Sequence, residues 1–83
     1  PNPFNPSTQI TFALPQAGPV TLRVYDVQGR LVRTLANGPF DAGVHSVEWN
    51  GTDGTGSAVA SGVYLYRLSA GETVVTRKMI LMK

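Results

Sequence analysis

Glycine and proline interrupt this chain at short intervals, and the stretches between them alternate apolar with polar residues. Alternation with period two places the apolar side chains of an extended segment on one face, as in a half-buried strand. No stretch carries the sustained i, i+3, i+4 apolar spacing of an amphipathic helix. The pattern therefore predicts an all-β chain of short strands.

Six segments fit the alternation, and in the second of them Val20, Leu22 and Val24 share one face. The predicted strands cover residues 9–14, 20–25, 30–35, 44–49, 63–68 and 73–82, with short extra pairing near residues 58–60. Residues 37–43 and 50–57 are rich in glycine and are predicted loops. Strands of this length and spacing favour a two-sheet antiparallel sandwich over the alternative, a small closed barrel.

Composition narrows the classes of protein further. The 83 residues suffice for one domain, predicted to span 1–83, and the absence of cysteine excludes disulfides and thiolate metal sites. A net charge of +2, without a cluster of Lys and Arg, argues against nucleic-acid binding. No apolar run is long enough to span a bilayer. The chain lacks an initiating Met and a signal sequence, so we expect a module from a longer protein.

The sequence is poorly provided with catalytic groups. Its one histidine, His45, lies mid-strand without a second ligand nearby, and its five carboxylates are scattered. We therefore expect no enzyme and no cofactor. Residues 50–57 contain oxygen side chains between glycines, which resembles part of a calcium loop: Asn50, Thr52, Asp53 and Thr55. Because only one of these is a carboxylate, a glycine-rich turn between strands is the favoured interpretation.

Aromatic residues raise the question of sugar binding, since exposed rings on a sandwich face can stack on carbohydrate. Trp49 alternates in phase with Val47, however, and Tyr64 and Tyr66 alternate in phase with Leu68. In so small a domain, rings in phase with aliphatic residues are expected in the core. A carbohydrate-binding module of a glycoside hydrolase remains an alternative hypothesis.

The last predicted strand is long and apolar, and Arg77 and Lys78 interrupt it. Charges in such a strand protect a sheet edge against aggregation. The functional alternative is a terminal signal that another protein reads through strand pairing and these cations.

Ordered motifs along the whole chain resemble a known family. They are PNPFNPST at 1–8, VYDVQGRLV at 24–32, GVHSVEWNG at 43–51, ASGVYLYRL at 60–68 and the basic tail at 78–83. The set resembles the C-terminal sorting domains of the bacterial type IX secretion system (Por secretion C-terminal domains). It is also similar to the immunoglobulin-like domain of the flagellar hook-capping protein.

The resemblance implies an immunoglobulin-like or fibronectin III-like sandwich of about seven strands. It further implies a non-catalytic C-terminal module that directs a secreted Bacteroidetes enzyme or adhesin across the outer membrane and attaches it to the cell surface. The implied partners are the type IX machinery, an upstream catalytic or adhesive domain and surface lipopolysaccharide. Family positions map onto Pro1, Asn2, Pro3, Gly29, Gly62, Tyr64, Lys78 and Lys83.

The sorting hypothesis predicts that Lys83 is at or near the natural C-terminus. A hook-cap-like structural assembly domain is a second alternative, and it predicts flagellar neighbours and a helical assembly region upstream.

Overall fold

A computed structural model describes residues 7–82 and places six antiparallel strands in them. The strands are β1 (Thr8–Leu14), β2 (Gly18–Asp26), β3 (Leu31–Phe40), β4 (Gly43–Trp49), β5 (Gly62–Ala70) and β6 (Thr73–Leu81). An isolated bridge between Thr52 and Ala58 adds the short pairing expected near residue 58. None of the described residues forms a helix able to span a membrane.

The strands form two sheets, β1-β4 and β3-β2-β5-β6 in spatial order. Their inner faces bury nine apolar side chains in two clusters. One cluster holds Ile10, Phe12, Leu14, Val20 and Leu22, and the other holds Val24, Trp49, Tyr64 and Leu81. The prediction of an all-β antiparallel sandwich is therefore confirmed, as is the buried face predicted for β2.

The prediction of a loop over residues 37–43 is wrong at its start, because β3 continues to Phe40. Pro39 lies directly opposite Pro19 in the β2-β3 ladder. β3 is an edge strand of its sheet, and an edge strand tolerates proline because one side of its backbone needs no ladder donor. The segment is rich in glycine and proline, but its position at the edge of the sheet allows it to form a strand.

The β2-β3 turn is stabilised by contacts between residues that are close in sequence. The Asp26 carboxylate accepts hydrogen bonds from the backbone N–H groups of Gln28 and Arg30 and from the Arg30 guanidinium at 2.9 Å. Gly29 has φ of +86°, a conformation that favours glycine. These contacts lower the pKa of Asp26, chiefly through the backbone hydrogen bond from Arg30.

Candidate functional site

Four of the eight residues mapped from the sorting family lie outside the described residues: Pro1, Asn2, Pro3 and Lys83. Of the others, Gly29 and Gly62 lie at the same end of the four-stranded sheet, since Asp26 pairs with Tyr64. Lys78 lies three residues before the end of β6 at Leu81, and its side chain is exposed. The described positions therefore do not converge on one pocket.

Tyr64 takes a structural position near the start of β5. Its ring is buried, and its hydroxyl donates to the carbonyl of Ala60 at 2.6 Å, four residues upstream. A tyrosine at the start of a strand that bonds back to the preceding crossover is the tyrosine corner of immunoglobulin-like sandwiches. Gly62, with φ of +152°, makes the bend by which the chain enters β5.

Trp49 packs edge-on against Tyr64, with ring centroids 5.1 Å apart. Its side chain is fully buried, and Nε1 donates to the Thr52 carbonyl at 2.9 Å. A ring without exposed surface cannot stack on a sugar. The residue that the carbohydrate-binding hypothesis most needs is therefore part of the core.

The loop over residues 50–57 is closed by its own side chains. One Asp53 carboxylate oxygen accepts from the Thr55 N–H, the Thr55 hydroxyl and the Ser57 N–H at 2.7–3.1 Å. These bonds, the Thr55 hydroxyl first among them, lower the pKa of Asp53. A calcium ion at this loop would have to displace them.

The same loop also covers the edge of β3. The Arg33 guanidinium donates to the Thr52 hydroxyl at 2.8 Å and to the Asp53 carbonyl at 2.7 Å, and Gly54 N–H donates to the Val32 carbonyl. The Thr52 hydroxyl and the Asp53 carbonyl, two oxygens of the candidate calcium loop, are thus bound by the Arg33 guanidinium. In residues 7–82 no three His, Cys, Asp or Glu side chains are grouped to hold a metal.

His45 belongs to an aromatic cluster at the other end of the sandwich. Its ring lies 5.0 Å from Phe40 and 5.6 Å from Phe12, and Nε2 is 2.7 Å from the Asp41 carbonyl oxygen. These contacts pack the His45 ring against two phenyl rings and the backbone.

Two open cavities lie between the sheets at their ends. One, of about 320 Å³, is lined by small and apolar residues that include Leu14, Pro15, Pro19 and Leu68. The other, of about 380 Å³, lies between the start of β1 and the end of β6. Neither contains a titratable side chain.

The outer face of the four-stranded sheet is the feature that the sequence pattern alone does not reveal. Arg23 of β2 lies directly opposite Arg67 of β5 on this face, and Lys78 follows on β6. The alternation along each strand predicts that each of these side chains points outward. That the three lie next to one another depends on the order of the strands in the sheet. Cations from three neighbouring strands therefore share this face.

Comparison with known proteins identifies relatives of this fold. The sequence profile of the FlgD Ig-like domain matches residues 3–73. The basal-body rod modification protein FlgD of Salmonella typhimurium is 41% identical over 54 residues, which are 65% of this chain and 23% of the relative. FlgD of Escherichia coli is 43% identical over the same shares of the two chains. The chain thus spans less than a quarter of these relatives.

Solved structures give the same result at the level of the fold. The crystal structure of FlgD from Xanthomonas campestris, described in terms of the hook capping essential for flagellar assembly, superposes with a TM-score of 0.71 at 28% identity. It covers 93% of this chain and 56% of that protein. FlgD from P. aeruginosa superposes with a TM-score of 0.65 at 26% identity, over 90% of this chain and 60% of that one. The immunoglobulin-like prediction is confirmed.

These matches contradict the sorting-domain interpretation of the sequence. The predicted partners and location that depended on it are withdrawn with it: the type IX machinery, an upstream catalytic or adhesive domain, surface lipopolysaccharide and the outer membrane. So is the role of an accessory module of a glycoside hydrolase. The physical reason is that three of the residues behind the resemblance, Gly29, Gly62 and Tyr64, form turns and the tyrosine corner. They therefore report a fold and do not discriminate between functions.

Proposed function

Because this chain belongs to the FlgD Ig-like domain family, we propose that it is a non-catalytic assembly module, of the kind found in flagellar hook-capping proteins. The family match over residues 3–73 is the observation that carries the proposal. It corresponds to the hook-cap-like alternative raised by the sequence. We propose further that residues 1–83 act as one module within a longer protein.

The distribution of polar groups supports a structural role. Within residues 7–82 every buried side chain of the core is apolar, and no polar or charged side chain is buried. Active sites, in contrast, partly bury titratable groups in clefts and so perturb their pKa values. The two carboxylates whose pKa is lowered, Asp26 and Asp53, are engaged in closing turns.

The names of the relatives also suggest a location. They refer to the basal-body rod and to capping of the flagellar hook. We propose that this chain functions outside the cytoplasm as part of an exported assembly.

A chimera tests the proposed function. The segment of Salmonella typhimurium FlgD that matches this chain over 54 residues is replaced by the matching segment of this chain. Swimming in soft agar and hooks on isolated basal bodies are scored. We expect hooks to form. A matched chimera carrying Leu22→Asp, which places a carboxylate in the core, is expected to form none. A chimera that accumulates in folded form but leaves cells without hooks would contradict the proposal.

A further inference from the structure

The outer face of the four-stranded sheet places two arginines side by side. Arg23 lies between Leu22 and Val24, which are fully buried, so its own side chain is directed away from the core. Its direct partner across the β2-β5 ladder is Arg67. Direct partners in an antiparallel pair share a face, with Cβ atoms about 5 Å apart. The two guanidinium groups therefore belong to the same surface.

Lys78 extends this surface to the edge strand. It pairs with Leu65, which lies two residues before Arg67 on β5, so Lys78 and Arg67 are diagonal neighbours. Both side chains are exposed. Three cations thus occupy adjacent positions on three neighbouring strands, and we call them the cationic centre.

No carboxylate of the described chain compensates this centre. Within residues 7–82 the salt bridge joins Arg30 to Asp26, at the end of the sheet. The other four acids lie on β4, in loops or at the tip of the β5-β6 hairpin: Asp41, Glu48, Asp53 and Glu72. The Arg23 Nε contacts the Thr34 hydroxyl at 3.4 Å, a neutral partner.

Like charges placed directly opposite each other destabilise a sheet. The outer face could carry threonines at these positions, as it does at Thr21 and Thr76, without loss to the core. The arrangement therefore does not serve folding, and paired guanidinium forks are well suited to carboxylates.

Apolar side chains adjoin the cationic centre. Tyr25 and Leu65 are half-buried cross-strand partners on the same face. Val63 and Ile80 pair with each other beyond them, and Ile80 is 62% exposed. Arginine, tyrosine and exposed aliphatic groups together are typical of the centre of a protein–protein interface. Nucleic acid would require a longer basic stripe than three residues in a chain of net charge +2.

We infer that the outer face of the four-stranded sheet, centred on Arg23, Arg67 and Lys78, binds an acidic surface of a partner protein whose carboxylates adjoin apolar side chains. This inference states which kind of surface the proposed assembly module binds, and it therefore rests on the proposed function.

The probe is a short synthetic peptide that alternates glutamate with leucine, titrated into the ¹⁵N-labelled chain at low salt. We expect the largest amide shift changes on β2, β5 and β6 around Arg23, Arg67 and Lys78. Arg67→Glu is expected to weaken binding at least about tenfold, as for loss of a charge-assisted hydrogen-bonded contact.

Arg77 supplies a matched control. It is exposed on β6 next to Lys78, but it pairs with Tyr66, on the opposite face of the sheet. Arg77→Glu changes the net charge by the same amount as Lys78→Glu, yet it is expected to change the affinity less than about twofold. The double variant Arg67→Glu, Lys78→Glu is expected to prefer a lysine–leucine peptide. Thermal melts verify that each variant is folded.

Three results would overturn the inference. The first is an equal loss with Arg77→Glu and Lys78→Glu, which would mean a response to net charge alone. The second is the absence of shift changes on the outer face at millimolar peptide. The third is tighter, face-specific binding of a single-stranded oligonucleotide or of phosphatidylglycerol vesicles, which would assign the surface to another class of partner.

The chimera separates this inference from the proposed function. If the native chimera forms hooks and the Arg23→Glu, Arg67→Glu chimera forms them equally well, the face is not the docking surface although the assembly role stands. If the folded native chimera forms no hooks, the proposed function fails, whatever the peptide binds.

Discussion

The inner and outer faces of the four-stranded sheet are made of alternate residues of the same strands, yet they obey different rules. On the inner face Leu22 and Val24 of β2 are fully buried. Between them, on the outer face, Arg23 meets another arginine across the ladder. The inner face buries apolar side chains, which stabilises the fold. The outer face carries two like charges directly opposite each other, which does not stabilise it.

This difference shows where information about function lies in a small sandwich. Burial selects the inner residues for volume and apolarity, so chains with different roles share them. The outer residues are constrained weakly by the fold, so an arrangement that costs stability there points to a partner. Four predictions test the contrast, from the largest expected effect to the smallest.

Truncating the inner face should have the largest effect. Leu22→Ala removes a fully buried side chain and is expected to lower the free energy of unfolding by about 2–5 kcal/mol. Urea denaturation followed by Trp49 fluorescence measures it, since Trp49 is buried in the folded state. The neighbouring Arg23→Ala is the control, and an equal loss there would break the contrast between the faces.

Removing one hydroxyl from the inner face should cost less. Tyr64→Phe deletes the bond to the Ala60 carbonyl and is expected to lower stability by about 1 kcal/mol. Tyr25→Phe on the outer face is the matched change, because the Tyr25 hydroxyl makes no hydrogen bond within the described residues. We expect less than about 0.5 kcal/mol from it. Similar losses would mean that the tyrosine corner does not anchor the crossover.

Removing one charge from the outer face should raise the stability slightly, whereas the two changes to the inner face lower it. Arg67→Thr removes the repulsion with Arg23 and is expected to raise stability by about 0.2–0.5 kcal/mol at low salt. The gain should shrink at about 0.5 M NaCl, where charges are screened. Paired melts at the two salt concentrations measure it, and a loss of stability would show that the fold needs Arg67.

Acid should leave the difference between wild type and Arg67→Thr almost unchanged. The pKa of Asp26 and of Asp53 is lowered in the folded chain below the ordinary value of 3.8. Their contribution to stability is therefore complete above that value and is lost as the pH falls through the folded pKa. Both proteins should lose stability below about pH 4 in melts from pH 7 to pH 2.5.

Two variants refine the acid experiment. Asp26→Asn, which keeps an acceptor oxygen but not the charge near Arg30, should flatten the acid dependence in part. A widening of the difference between wild type and Arg67→Thr at low pH would instead mean that a carboxylate compensates the outer face at neutral pH.

Two glycine-rich segments show how far local sequence predicts the fold. Residues 50–57 form the expected loop, because Asp53 and Thr55 supply side-chain bonds that close a turn. Residues 37–40 also contain glycine and proline, but they extend β3. They lack such a closing carboxylate, and the edge position accepts Pro39. The difference is a matter of tertiary neighbours, which local composition does not encode.

The candidate site was less accessible to sequence reasoning than the fold. Trp49 and Tyr64 lie in the core, as their alternation in phase with aliphatic neighbours predicts, and Tyr66 packs against the core partly buried. The motifs that suggested sorting were misleading because Gly29, Gly62 and Tyr64 shape turns and a corner of the sandwich.

By itself the sequence determined the number of strands, the inner face of β2 and the absence of disulfides, because alternation with period two is a local property of the chain. The end of β3 at Phe40 was not among them. Only the tertiary structure decided that β2 lies between β3 and β5, and hence that Arg23 faces Arg67. Strand order depends on how two apolar faces bury each other, which joins residues far apart along the chain. The surface assigned to a partner is a product of that order.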